Sequence, residues 1–208
     1  MRFHAKVLSA SQKTVLRQAG PALSAGGFYL GGGTAVALQL GHRRSEDLDW
    51  LSQKPLTDPL AWATRLKAAG VAFSEPVVGK GALHGRAAGV RISLLHYQYP
   101  LLDPLVEWPA HGRMASLADL ACMKLLALVQ RGAKKDFLDL YALGLKFRPL
   151  PGLLRLCQEK FAIRDPSRFL AALTYFDDAD PEPNPKLFWK TGWPEVRKTL
   201  SEWVRQVR

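Results

Sequence analysis

Cysteine is scarce, with Cys122 and Cys157 the only two in 208 residues. Both lie in apolar, helical-looking segments without ligand-like spacing to histidine, which argues against a zinc site and for reduced thiols in a cytoplasm. No apolar run approaches the ~20 residues that a membrane span requires. The N-terminus also lacks a long apolar core ahead of a small-residue cleavage site. The expectation is therefore a soluble, cytoplasmic protein with no membrane partner. Acid is in short supply as well: 18 Asp and Glu face 29 Lys and Arg, giving a net charge of +11 and a pI near 9.9. Such a surplus favours a polyanionic partner, whether nucleotide, RNA or DNA. Internal repeats are missing too, so a solenoid is excluded.

What is present is concentrated between Phe28 and Trp50. A short apolar run, Phe28 to Leu30, leads into Gly31-Gly32-Gly33-Thr34, a short helix from Thr34 to Leu40 closed by Gly41, and then Asp47-Leu48-Asp49-Trp50. Glycines let backbone approach a ligand, and a helix opening at Thr34 aims unpaired N–H groups at an anion. On a strand from Asp47 to Leu51, the two aspartates share one face while Leu48 and Trp50 take the other. Adjacent carboxylates repel unless a cation lies between them, and Mg²⁺ accepts one or two carboxylates plus phosphate oxygens. A phosphate cradle beside an aspartate pair points to nucleotide chemistry. Two other glycine motifs fit poorly. Gly27-x4-Gly32-Gly33-Thr34 has P-loop spacing but Gly33 where the lysine belongs, and Gly31-x-Gly33-x-x-Val36 lacks the third glycine of a dinucleotide fingerprint.

The rest of the chain divides near Arg113. A helix up to about Ser24 has Ser11 as a cap and is ended or bent by Pro21. A further helix spans 55–69, and strands follow at 71–78, 82–87 and 90–97, giving a mixed sheet of about five strands with the first two. Residues 100–109 read as a loop or crossing connection. Ser116 and Asp119 then cap a helix to Arg131 that is apolar almost all round, a second helix runs from Lys135 to Leu145, and Pro151 and Pro166 suit first helical turns. Residues 180–185 form a proline-rich loop, and an amphipathic helix follows Pro194. The expected domains are 1–113, an α/β unit, and 114–208, a helical one.

Two motifs in this order resemble the nucleotidyltransferase AbiEii/AbiGii toxin family. The first is Gly32-Gly33-Thr34 with Gly41-His42-Arg43, Ser45 and Asp47-Leu48-Asp49-Trp50. The second is Met123-Lys124-Leu125-Leu126, Arg131-Gly132 and Lys134-Lys135-Asp136-Phe137-Leu138-Asp139-Leu140-Tyr141. The resemblance covers about residues 28–145. It implies an α+β fold: a nucleotidyltransferase-like mixed β-sheet with flanking helices, followed by a C-terminal helical region. It also implies a bacterial enzyme that moves a nucleoside monophosphate from an NTP to RNA, tRNA included, or to a protein hydroxyl, as the toxin partner of an antitoxin protein. In that reading Gly32, Gly33 and Thr34 hold the triphosphate, and Asp47 and Asp49 bind Mg²⁺ or Mn²⁺ and carry catalysis with Lys124. Arg43, Ser45, Arg131, Asp136 and Asp139 join the nucleotide site.

Several of these residues have a structural alternative. A lysine on an apolar helix needs a partner, so Lys124 either reaches phosphate or pairs with Asp136 or Asp139. Those two aspartates, three apart, either serve the nucleotide or join the two halves. His42, Arg43 and Arg44 either touch ligand or form a solvated helix end, and Asp49 can pair with Arg43 or Arg44. The C-terminal tryptophans Trp189, Trp193 and Trp203, interleaved with basic residues, either contact RNA or are core.

The resemblance also implies a third carboxylate on a later strand, at the position of Ser93, which is no base at neutral pH. His96 alternates to the opposite face. The chain therefore uses two carboxylates, borrows Glu75 or Asp103, or is a catalytically weakened module that binds nucleotide or a partner.

Overall fold

A computed structural model describes residues 3–207. Helix α1 (Ala10–Ala25) opens with a reciprocal capping box between Ser9 and Gln12, not with Ser11. It continues through Pro21, because Pro21 lies inside the helix where only one carbonyl loses its donor. After β1 (Tyr29–Leu30) comes α2 (Gly32–Leu40), which starts two residues earlier than the sequence pattern indicates. Strand β2 (Leu48–Ser52), helix α3 (Pro59–Ala68, capped by Asp58), and strands β3 (Phe73–Gly79), β4 (Ala82–Ala87) and β5 (Val90–His96) follow.

The structure corrects the expected loop at 100–109 and the stretch just after it. This segment holds two short strands, β6 (Val106–Trp108) and β7 (Gly112–Met114), and β7 adds parallel to β1 through Leu30 and Met114. The sheet therefore has seven strands, in the order β3-β4-β5-β2-β1-β7-β6. It is mixed: β2 runs parallel to β5 and antiparallel to β1. Leu48 and Trp50 of β2, Ile92 and Leu94 of β5 and Leu83 of β4 are all buried at 1% exposure or less, and they make the apolar side of the central strands. Helix α1 packs on β1 and β7, and α3 on β3 and β4.

The chain then turns helical: α4 (Leu117–Arg131), α5 (Lys134–Lys146), α6 (Leu150–Phe161), α7 (Ser167–Ala172) and α8 (Trp193–Val207). Ser116 caps α4 by accepting from the Asp119 N–H. The Asp119 carboxylate also takes the buried Lys160 ammonium at 2.6 Å and the Leu102 N–H at 3.0 Å, so a buried ion pair fixes the segment entering β6. Helix α2 packs against both α4 and α5, and one apolar core runs without a break from Val7 to Val204. The C-terminal tryptophans are half-buried against other rings: Trp193 lies edge-on to Phe137 and Phe176, Trp203 stacks on Tyr141, and Trp189 meets His42. Among the described residues, no helix is long and apolar enough to cross a membrane.

Candidate active site

Helix α2 begins at a point of forced close approach. Gly32 has φ +62°, and a Cβ there would lie 2.6 Å from Asp49 Oδ2. Glycine is thus required twice, for the left-handed backbone and for the space that the Asp49 carboxylate occupies. Gly31 N–H donates to the Asp49 carbonyl at 2.8 Å, so β2 and the start of α2 are tied together. The N-cap is Gly31, which offers no side-chain acceptor. First-turn N–H groups of an α-helix have no intrahelical acceptors, so those of Gly32, Gly33 and Thr34 face outward beside Asp49. A helix N-terminus next to a carboxylate is unfavourable for the carboxylate alone but suits an anion bridged to it by a cation.

Thr34 and Ser45, the latter on the cavity wall, brace the site through their side chains. Both are buried; Thr34 Oγ1 lies 2.8 Å from Ser45 Oγ and also bonds the Asp47 carbonyl. Together they fasten the segment carrying Asp47 to the first turn of α2. Asp47 stands one residue ahead of β2, a small correction to the expected strand. Its two oxygens accept from Arg91 Nε at 2.8 Å and Nη2 at 2.9 Å, with Lys135 Nζ at 4.0 Å. The Asp49 side chain has no hydrogen-bond or ion-pair partner among the described residues.

Asp47 and Arg91 border a cavity of about 710 Å³. Its wall carries Arg43, Arg44, Arg91, Arg131, Lys135 and Lys186 against Glu46, Asp47 and Glu182, a positive balance that fits a polyphosphate. The proline-rich loop forms the far wall. It is anchored at one end by Lys134, which bonds the carbonyls of Asp180 and Glu182, and at the other by Arg44 N–H to the Lys186 carbonyl.

Behind this cavity lies a buried ion network. The Lys124 ammonium sits 2.8 Å from Asp136 and 2.7 Å from Asp139. Asp139 also accepts from Arg43 Nε at 2.6 Å, Arg43 Nη2 at 2.8 Å and His42 Nε2 at 2.7 Å, while Arg131 grips Asp136 with two bonds. Burial by itself raises a carboxyl pKa. Here the Arg43 and Lys124 charges outweigh it and hold Asp139 well below the ordinary carboxylate range; Lys124 and Arg131 lower Asp136 as well. For His42, burial prevails over the Asp139 contact and lowers its pKa. This favours the neutral imidazole, with Nε2–H donating to Asp139 and Nδ1 buried without a partner among the described residues.

The network gathers Arg43, Lys124, Arg131, Asp136 and Asp139, and Lys124 pairs with both aspartates at once. Arg43 and His42 are buried, not a solvated helix end, and Arg43 pairs with Asp139 instead of Asp49. Lys124 does not border the cavity, whereas Arg131 does.

Ser93 lies directly across from Asp49 in the parallel β2–β5 register, the place a third carboxylate would take. Glu75 is on β3, three strands away from β2, where it faces Arg86, and Asp103 sits on the segment held by Asp119. Neither supplies the missing group. His84, whose Nδ1 is 3.2 Å from Ser93 Oγ, was not singled out by sequence reasoning. Only the strand register could have revealed it.

Asp47 and Asp49 are hard oxygen donors, Asp47 held by the exposed Arg91 at the cavity wall and Asp49 without a partner among the described residues. That donor set fits a magnesium-like ion, which binds through one or two carboxylates plus substrate phosphates. No group of three or more His, Cys, Asp or Glu among the described residues forms an all-protein metal cage.

The profile described as "Nucleotidyl transferase AbiEii toxin, Type IV TA system" matches residues 14–203. An uncharacterised protein of Aquifex aeolicus (strain VF5), aq_aa25, is 34% identical over 184 residues, covering 86% of this chain and 87% of that protein. Among solved structures, MenT4, a nucleotidyltransferase toxin from Mycobacterium tuberculosis, superposes with a TM-score of 0.60 at 17% identity, over 99% of this chain and 88% of that one. JHP933 from Helicobacter pylori gives 0.58 at 18% identity, over 98% and 90%. ANT(2")-Ia in complex with adenylyl-2"-tobramycin gives 0.52 at 13% identity, over 74% and 98%. These three likenesses establish a shared fold.

Proposed function

Since the chain belongs to the AbiEii nucleotidyl transferase toxin family, we propose that it transfers a nucleoside monophosphate from an NTP to a hydroxyl of RNA, tRNA included, or of a protein, and does so as the toxin of a toxin–antitoxin pair. The observation that carries this reading is the open Asp49 carboxylate against Gly32 at the first turn of α2, beside a basic cavity. Asp47 and Asp49 would hold a divalent ion, which when bound supplies positive charge to the triphosphate. The outward N–H groups of Gly32, Gly33 and Thr34 bind phosphate oxygens through the helix terminus. Arg131 and Lys135 face the same cavity and offset charge on the pyrophosphate as it leaves. Lys124, Asp136, Asp139, Arg43 and His42 act one layer back. They hold α2, α4 and α5 in the arrangement that aims those groups.

The test is incubation with each labelled NTP, Mg²⁺ or Mn²⁺, and total RNA or protein. Label transferred to one acceptor class, and abolished by Asp49→Ala, is the expected result. No transfer with any NTP, together with no NTP binding, sinks the reading. One observation favours a second reading, a nucleotide- or partner-binding module without turnover: Ser93 stands where a third carboxylate would be. In that case NTP binds without transfer, and Asp49→Ala leaves the biological effect intact.

A further inference from the structure

Three side chains stand in one row across the sheet. Asp49 on β2 is opposite Ser93 on β5, and Ser93 is opposite His84 on β4. Residues opposed in register project to the same face, so all three point to the side on which Asp49 meets Gly32. Neighbouring strands are about 4.8 Å apart, which places the His84 backbone roughly 10 Å from that of Asp49, with Ser93 midway. The imidazole reaches back across this gap, and Nδ1 comes to 3.2 Å from Ser93 Oγ. Neither atom has another side-chain partner among the described residues. In the next row, Arg91 is engaged by Asp47 and Arg86 bonds the Gly89 carbonyl, so neither arginine competes for the serine.

We propose that Ser93 and His84 form a proton relay that does the work of the missing third carboxylate. The proposal rests on the nucleotidyl-transfer reading. The acceptor hydroxyl oxygen attacks the α-phosphorus of the NTP. As the new O–P bond forms, the bond from the α-phosphorus to pyrophosphate breaks, and its electron pair leaves with pyrophosphate. The acceptor proton passes to Ser93 Oγ while the Ser93 hydroxyl proton moves to His84 Nδ1. Serine alone cannot hold that proton at neutral pH, but imidazole can, and Ser93 is the atom close enough to Asp49 to meet the incoming hydroxyl. Ser93 is then the catalytic residue and His84 acts through it.

On the same face stand Asp49 of β2 in the His84 row and, in the next row, Arg91 of β5 and Arg86 of β4, which pair with Asp47 and with Glu75 of β3.

The experiment compares wild type with His84→Ala, His84→Gln, Ser93→Ala and the double variant His84→Ala/Ser93→Asp. Transfer rate is measured against pH, and NTP binding is followed in parallel by a fluorescent NTP. His84 and Ser93 lie outside the apolar core, so the variants fold, which their thermal transitions verify. Expected is a loss of about 100-fold in kcat for each single variant, the scale of a lost general base, with NTP affinity unchanged. The acid limb of the pH–rate profile vanishes in His84→Ala and returns with added imidazole. Ser93→Asp restores transfer in the His84→Ala background, because a carboxylate then accepts the proton directly. Transfer that keeps its rate and pH profile in His84→Ala overturns the relay alone. Wild type that neither binds NTP nor transfers label overturns the function itself, and NTP binding without transfer leaves the module reading and removes the relay.

Discussion

Two pairs of aspartates close in sequence meet opposite fates. Asp136 and Asp139 are fully buried and matched by Lys124, Arg131, Arg43 and His42. Asp47 borders the cavity and is held by the exposed Arg91, while Asp49, two residues on, has no partner among the described residues. A buried carboxylate survives only if its charge is met inside the protein, and the first pair has its charge committed to built-in cations. The second pair is left with charge to spend on something that arrives. Spacing cannot separate these cases, since two or three residues place side chains together on a strand or a helix alike. What separates them is whether the cations around them are built in.

The largest effect tests the committed pair. Asp139→Asn removes the charge that Arg43 and Lys124 share and leaves those cations buried without it. Loss of one partner of a buried ion pair costs about 3–5 kcal/mol. Denaturant unfolding should show that loss, and a change under 1 kcal/mol would mean that the network is dispensable to stability.

Asp49→Ala should do the reverse. With no partner to abandon, its stability stays within about 0.5 kcal/mol of wild type. Divalent-dependent NTP binding and transfer should fall by about 100-fold or more, on the scale of a lost electrostatic contact to the reacting group. Finding the two aspartate variants equally destabilised would erase the distinction between the pairs.

Acid sharpens the contrast further. Folded His42 resists its proton because burial lowers its pKa, whereas the unfolded chain takes one near pH ~6.5. The unfolded state therefore binds more protons below that pH, and stability, full above it, declines as pH falls, by at most ~1.4 kcal/mol per pH unit. Asp136 and Asp139, held below the ordinary range, add a second loss once pH drops beneath ~4, where the unfolded carboxyls protonate and the folded ones do not. His42→Gln should flatten the first decline and leave the second, as urea melts from pH 7 to 3 would show.

The sequence exposed the parts whose chemistry is local. Gly32-Gly33-Thr34 reads as a close-approach turn, and Asp47-x-Asp49 as a carboxylate pair, because neighbours along a chain settle both. The family resemblance likewise rested on short contiguous motifs, and the chain belongs to that family over most of its length. Long-range pairings stayed hidden. Arg43 meets Asp139 across 96 residues, and no spacing rule reports that. Strands β6 and β7 are three residues each, too short for alternation to register, and Trp108 and Arg113 give no apolar pattern. His84 stayed hidden for a related reason: alternation says which face a strand residue takes, while its neighbour across the sheet depends on register.

The smallest effect concerns the one contact that blurs the comparison. Arg91 holds Asp47 with two bonds, much as Arg131 holds Asp136, yet the Arg91 side chain is 62% exposed and Asp47 is 26% exposed. An ion pair this wet is worth about 0.2–1 kcal/mol. Arg91→Gln should therefore leave the unfolding midpoint nearly unchanged. It should also free both oxygens of Asp47 for a divalent ion, tightening Mn²⁺ binding by a few-fold, since 1 kcal/mol corresponds to a factor of about 5. If Mn²⁺ binding weakens instead, Arg91 serves the bound state by holding Asp47 in place or by contacting phosphate. The Asp47 end of the pair would then resemble the built-in network more than it does Asp49.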